Sequence, residues 1–450
     1  MKSPLTRPLV LLFVLVFAAC TAAPAAAEQR FIVRTQPSIT TLFGTVTPAQ
    51  IIRMACAFAG CTVRYGLDDE PSQLFLVTAP DSASPLTFTA LLPILPGIQH
   101  VELDLVLRTL SGGAASGAPP ALLDTEPATF FGATVPAGYL RQPANAILGI
   151  SAARDQYGLT GQGITVAVID TGVDPTHPVL NGVLLDGYDF TRNQAHGSEK
   201  GDVDDSVMYT VDQARPGYVN DSTIAVLDDS AIAALHDSRY RAFGHGTMVA
   251  GLVHLVAPRA AIMPLKAFGP DGNGYTSDVL RAINFAVREG AKVLNMSFSF
   301  AAPSQELTLA LERAVSRGMV PVASVGNDGQ ARLVYPAALP DVIGVASTTD
   351  HDSLSSFSNF GTEVAWIAAP GEAVITTYPM GTWAAAWGTS FSTPFASGAA
   401  ALLAEVDSRV SAGDAADAQG YSIWISPEVS RGRLDVPSAL EAYLTRLGLR

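Results

Sequence analysis

The chain has 450 residues, of which 48% are hydrophobic and 15% charged, and a formal net charge of −14. That is enough apolar material for about three domains. Phosphate binding needs clustered Lys and Arg; the sequence holds no such cluster, so nucleic acid is excluded as the main partner.

Residues 1–27 read as a targeting segment. Lys2 and Arg7 form a basic head, and residues 9–19 are an apolar core of about a dozen residues, too short to span a bilayer comfortably. Two ends compete. Ala25-Ala26-Ala27 suits a signal-peptidase site, and Phe17-Ala18-Ala19-Cys20 resembles a lipoprotein box that would anchor Cys20 to a membrane. Either way the expectation is an exported protein, secreted or periplasmic, with membrane contact only through a lipidated Cys20. Cys56 and Cys61 either close a small loop in an oxidising compartment or stand as two buried thiols.

Residues 28–110 read as a small α+β module. Strands are expected at 30–34, 74–77 and 99–107, with helices at 47–58 and 88–95. Residues 111–140 are rich in Gly, Ala, Pro and Ser and read as a linker. From 141 to 450 apolar strands (164–169, 261–268, 291–298, 319–325, 342–347, 364–368) alternate with helices (276–289, 304–317). Unbroken apolar strands with helical crossovers predict a doubly wound, mainly parallel α/β sheet of about seven strands, covered by helices on both faces. Sites in such sheets lie beyond the carboxyl ends of the strands. Residues 186–241 break the rhythm. Between 199 and 237 there are nine Asp or Glu against two Lys or Arg, which reads as a solvated loop, or else a lid or cation site around Asp202, Asp204 and Asp205.

Three short blocks carry chemistry. Asp170 ends the apolar strand 164–169 and precedes Thr171-Gly172. His245 stands between Gly244 and Gly246 at the head of a run of small residues, as if neighbours had to be minimal for something to approach the ring. Ser390, in Gly388-Thr389-Ser390-Phe391-Ser392-Thr393-Pro394, opens a buried apolar helix whose origin Pro394 keeps within about one turn. Alone, each has a plain structural reading as a cap or close-packing residue. Together they supply the hydroxyl, imidazole and carboxylate that nucleophilic acyl transfer requires, in the order Asp…His…Ser. Gly161-Gln162-Gly163 precedes its strand and lacks a third glycine at 166, so it is no dinucleotide loop.

These blocks, Val168-Ile169-Asp170-Thr171-Gly172, Gly244-His245-Gly246-Thr247 and Gly388-Thr389-Ser390 with Pro394, resemble the signature blocks of subtilisin-like serine proteases (subtilases, peptidase family S8). The likeness covers roughly residues 145–445, including Gly432-Arg433-Leu434-Asp435-Val436-Pro437. It implies a serine endopeptidase acting on proteins or peptides, with Asp170 orienting His245, His245 as general base and acid, Ser390 as nucleophile, and Asn327 of Val325-Gly326-Asn327 as oxyanion donor. By the same resemblance Ser297 and Phe298, with Ser299, form a strand that pairs with substrate, Ser324, Val325 and Gly326 face it, and Val334 lies at the floor of the main specificity pocket, making it suited to small or medium apolar side chains. The family often has two glycines where Ser299 and Phe300 stand. The module 28–110 is then expected to be a propeptide that inhibits the cleft until cut within 111–148. No cofactor is required for the chemistry. Structural calcium is frequent in the family, but no segment here matches its ligand set and no metal residue is assigned. The alternative is a catalytically silent protein of the same fold, acting as a binding scaffold.

Overall fold

A computed structural model describes residues 28–41, 44–82, 84–109, 118–203, 224–226 and 238–450. Residues 1–27, expected to be a targeting segment and including Cys20, lie outside the described residues. The chain divides into two compact units, one of residues up to Gly66 with Glu70–Leu103, the other of Leu67–Asp69 with Asp104–Arg450.

The first unit is a four-stranded antiparallel sheet, in the order Thr62–Gly66, Leu74–Pro80, Glu28–Thr35, Ile98–Leu103. The helix Pro48–Ala59 starts where its sequence says it should. Thr47 and Gln50 cap each other reciprocally, Pro48 fills the first turn, and Gly60 at φ 72° ends it. Its apolar side, Ile51, Ile52 and Ala55, packs with Phe31, Val33, Phe75 and Val77, and Phe31 stacks on Phe88 with ring centroids 4.3 Å apart. Cys56 and Cys61 are joined in a disulfide. The helix expected over 88–95 is instead Pro85–Leu91 followed by a 3-10 turn, Leu92–Ile94, because Pro93 has no N–H to continue the α-helical ladder.

The strand expected over 99–107 is split. Ile98–Leu103 belongs to the first unit's sheet, while Val106–Arg108 pairs with Asn273–Tyr275 in the second unit. Asp104 makes the break, its carboxylate accepting from Ser277 N and Ser277 Oγ, both at 2.8 Å, at the start of the helix Thr276–Arg288. Alternation of side chains alone could not reveal an aspartate recruited as a distant helix cap.

The second unit is built on an eight-stranded sheet in the order Gln194–Ala195, Tyr188–Asp189, Ala261–Lys266, Thr165–Asp170, Val293–Met296, Val320–Ser324, Ile343–Thr348, Ile367–Pro370. Seven of these strands run parallel and the edge strand Gln194–Ala195 is antiparallel. Every residue of Val320–Ser324 and Ile343–Thr348 is buried, as a sheet covered on both faces demands. The helices His245–Val256 and Thr389–Val406 pack on each other, and so do Thr276–Arg288 and Gln305–Ser316. The linker reading of 111–140 is corrected from residue 118 onward. Pro127–Phe130 and Ala133–Pro136 form a hairpin, and Leu122, Phe130, Val135 and Tyr139 are buried in the main core. Composition misled here because the small residues that make a chain flexible also let short elements pack closely. Residues 110–117 lie outside the described residues.

The acidic segment also needs correction in part. Its described portion is exposed at 191–196, as a solvated loop would be, but not throughout. Asp189 and Glu199 are fully buried, and Asp202 is paired with Lys266 at 2.7 Å and with Arg192. Asp204 and Asp205 lie outside the described residues. Among the described residues no group of three or more His, Cys, Asp or Glu is placed to hold a metal ion, and no helix is long and apolar enough to cross a membrane.

Candidate active site

Asp170 is the last residue of its strand and His245 the first of its helix. Two glycines permit their approach. Gly244 sits at φ 88°, and a Cβ there would fall 2.4 Å from Cε2 of Tyr378; a Cβ on Gly246 would fall 2.0 Å from the carbonyl oxygen of Gly172. The helix is held against the sheet's neighbour by Thr376 Oγ1 donating to Met248 O and Thr377 Oγ1 donating to Thr247 O, both at 2.7 Å. The result is a hydrogen bond of 2.7 Å between His245 Nδ1 and Asp170 Oδ1, with both side chains 1% exposed. Thr171 N donates to the same oxygen at 2.7 Å. A carboxylate that accepts from Nδ1 fixes the ring's orientation and tautomer, leaving Nε2 to handle a proton.

Ser390 is the second residue of the helix Thr389–Val406. Pro394, inside that helix, cannot donate to the carbonyl of Ser390. Ser297 Oγ donates to it instead at 2.8 Å. Ser297 Oγ in turn accepts from Asn295 Nδ2 at 3.0 Å, and Asn295 Oδ1 accepts from Ser397 Oγ at 2.8 Å. Proline thus exposes a polar group that ties the serine helix to the strand beside it. Ser390 Oγ itself donates to Ser297 O at 3.1 Å.

Asn327 follows the strand Val320–Ser324. Its Oδ1 accepts from Thr389 N at 2.9 Å and Thr389 Oγ1 at 3.0 Å, which turns its amide nitrogen away from Thr389. The loop carrying it is organised by Asn359. Asn359 Oδ1 accepts from Asp328 N and Gln330 N, and its Nδ2 donates to Val325 O at 2.9 Å. Gly326, at φ 88°, leaves room for that side chain.

The remaining sequence-derived positions are placed as follows. Ser297 and Phe298 are buried, and Phe298 lies against Phe268 with centroids 4.9 Å apart. Ser299 pairs with Arg108 in an antiparallel bridge, and Phe300 pairs with Tyr335. Ser324, Val325 and Val334 are buried.

One residue enters the site with no forewarning in the sequence. Thr109, fully buried, donates its hydroxyl to Ser297 O at 2.9 Å and lies 3.3 Å from Nδ1 and 3.5 Å from Nε2 of His245. Its N–H donates to Gly272 O at 2.9 Å. Residues 106–109 therefore lie between Asn273–Tyr275 and Ser299, leading directly to the imidazole. Glu199 and Asn359 were likewise invisible to motif reading, since their roles depend on residues dozens of positions away.

An aspartate–histidine pair and a helix-start serine at the carboxyl edge of a parallel sheet define a serine hydrolase of the α/β class. The subtilase family model matches residues 161–419, more than half of the sequence, and the chain belongs to that family, the serine-type endopeptidases. Thermitase of Thermoactinomyces vulgaris is 34% identical over 54% of this chain and 76% of its own length. Subtilisin BL of Lederbergia lenta is 33% identical over 55% of this chain and 78% of its own. A solved cold adapted subtilisin-like serine proteinase aligns at 26% identity and a TM-score of 0.48, covering 62% of this chain and 88% of that one.

Proposed function

We propose that this protein is an exported serine endopeptidase made as a zymogen, whose own residues 106–109 fill the cleft until they are cut away. Ser390 Oγ attacks the substrate carbonyl, His245 takes its proton and returns it to the leaving amine, and Asp170 stabilises the imidazolium. The oxyanion is met by Asn327 Nδ2 and the N–H of Ser390 at the positive end of its helix. The acyl-enzyme is then hydrolysed by the same steps with water as nucleophile.

The observation that carries this reading is the shared acceptor at the centre of the site. Thr109 Oγ1 and Ser390 Oγ both donate to Ser297 O, beside His245. In this arrangement Ser390 directs its proton away from the imidazole and Thr109 faces the ring, which is an inhibited state. A segment paired in antiparallel fashion on both sides, with its last described residue against the general base, is placed as a peptide substrate would be. The cut is expected directly after the described segment, at Leu110–Ser111, one bond ahead of the 111–148 stretch that the resemblance implies. The disulfide between Cys56 and Cys61 supports export, since such bonds persist in oxidising compartments, and agrees with residues 1–27 as the targeting segment.

The test is to express the full chain and its Ser390→Ala variant. The wild type should yield a mature protein beginning at Ser111 that labels at Ser390 with a fluorophosphonate, and the variant should stay uncut. A variant processed normally, or a processed wild type that fails to label, refutes the reading.

A further inference from the structure

Glu199 bonds to residues next to the Asp170–His245 pair, and none of the steps above uses it. It is fully buried. Its Oε2 accepts from Thr171 Oγ1 and from Gly244 N, each at 3.0 Å, and its Oε1 accepts from Thr247 Oγ1. Thr171 directly follows Asp170. Gly244 and Thr247 flank His245. One side chain therefore grips both elements whose spacing sets the hydrogen bond between the catalytic carboxylate and the imidazole.

The direction of each proton is determined by the neighbours. Gly246 N donates to Thr171 Oγ1 at 2.9 Å, and Asp174 N donates to Thr247 Oγ1 at 2.7 Å. Both threonine hydroxyls already accept from the backbone, so their own protons are left for Glu199. Three donors converge on two oxygens, a pattern that suits a carboxylate and gives a carboxylic acid proton no vacant acceptor without turning a hydroxyl around.

We propose that Glu199 is a positioning residue for the Asp170–His245 pair, bracketing the turn after Asp170 to the first turn of the His245 helix, and that the bracket is complete only while Glu199 is ionised. The groups facing it are Lys266 and Asp202 on one side, the Tyr378 phenol on another, and the Asp170–His245 pair beyond Thr171 and Gly244. Lys266 Nζ donates to Thr171 O at 2.6 Å and to Asp202 Oδ2 at 2.7 Å, so the cation that offsets Glu199 also holds the other end of Thr171. Burial pushes the Glu199 carboxyl up to about 8; the Thr247 bond, Lys266 and Thr171 oppose that rise, and Asp202 adds to it. Burial, with Glu199 adding to it, raises the Tyr378 phenol too, so it stays neutral where Glu199 titrates. Above its own titration Glu199 is charged and the bracket closed. Below it a proton displaces one of the three bonds, and the alignment of His245 relaxes.

The proposal rests on the protease reading, and its test is a pH profile of the processed enzyme on a peptide amide. In the wild type, kcat should rise with an ionisation near pH 8 in addition to that of the general base, while KM stays flat. In Glu199→Gln, which keeps the shape but turns an amide N–H toward a donor, kcat should fall about tenfold with KM within about twofold, and the added ionisation should vanish. Thr171→Val, which leaves Glu199 in place with one donor fewer, should move that ionisation to higher pH; this variant and the wild-type profile carry the test if Glu199→Gln does not fold. A wild-type profile without the added ionisation, a Glu199→Gln enzyme that retains it, or an unmoved limb in Thr171→Val overturns the proposal. A wild type that neither cleaves nor labels at Ser390 would instead refute the protease reading.

Discussion

Replacing Asn327 separates two things, the contacts that hold its side chain in place and the oxyanion donation proposed for it. The holding contacts are the bonds from Thr389 N at 2.9 Å and Thr389 Oγ1 at 3.0 Å to Oδ1. Asn327→Ala removes both and the donor. Loss of one preorganised oxyanion donor costs about 3 kcal/mol, or ~100- to 1,000-fold in kcat. Asn327→Asp keeps an acceptor for both Thr389 bonds but presents no donor, so kcat should fall at least as far while the melting temperature stays near that of the wild type. Thr389→Val does the converse. It removes one of the two bonds that orient the amide, worth about 1 kcal/mol net, and should lower kcat only ~5-fold. The assay is kcat and KM of processed enzyme on a chromogenic peptide amide, with active sites counted by fluorophosphonate titration. An Asn327→Ala enzyme within about threefold of wild-type kcat, or a loss confined to KM, would refute the assignment.

Other expectations follow from packing and burial. Gly246→Ala would drive a Cβ to 2.0 Å from Gly172 O; a backbone carbonyl cannot swing aside, so melting should drop by the equivalent of about 1–3 kcal/mol and activity should be lost with it. Burial drives His254 down from 6.5 to about 4, with Arg154 and His177 adding to the effect. Its folded form therefore binds fewer protons than the unfolded chain between those values, and stability rises with pH across that window and falls toward acid by roughly 3 kcal/mol. Urea midpoints of Ser390→Ala at pH 4.5 and 6.5 should show this slope, and His254→Gln should flatten it. The Cys56–Cys61 bond closes a short loop and should contribute about 2 kcal/mol to the first unit, read as a lowered denaturation midpoint when Ser390→Ala is reduced.

Local signals read well where the physics was local. The helix Pro48–Ala59 carries its start and stop in Thr47, Pro48, Gln50 and Gly60. The apolar strands of the second unit announced a parallel sheet because both their faces are buried. The strand expected over 99–107 was misread at Asp104, whose partner Ser277 lies far along the chain. Composition failed at 118–140, where small residues build a packed hairpin. It failed again at 186–203, where acidic residues are buried against Lys266 and the threonines of the site.

By itself the sequence determined the sheet class, the family and the short blocks bearing Asp170, His245, Ser390 and Asn327, since each needs particular neighbours within a few residues: a turn after a strand, glycines where backbones touch, a proline that opens a helix carbonyl. Only the tertiary structure decided that Thr109 reaches His245, that Ser297 satisfies the carbonyl Pro394 leaves open, and that Glu199 ties Thr171 to Gly244 and Thr247. Those contacts join positions 28 to 136 residues apart, and a hydrogen bond depends on distance in space, which the fold sets and no local pattern encodes.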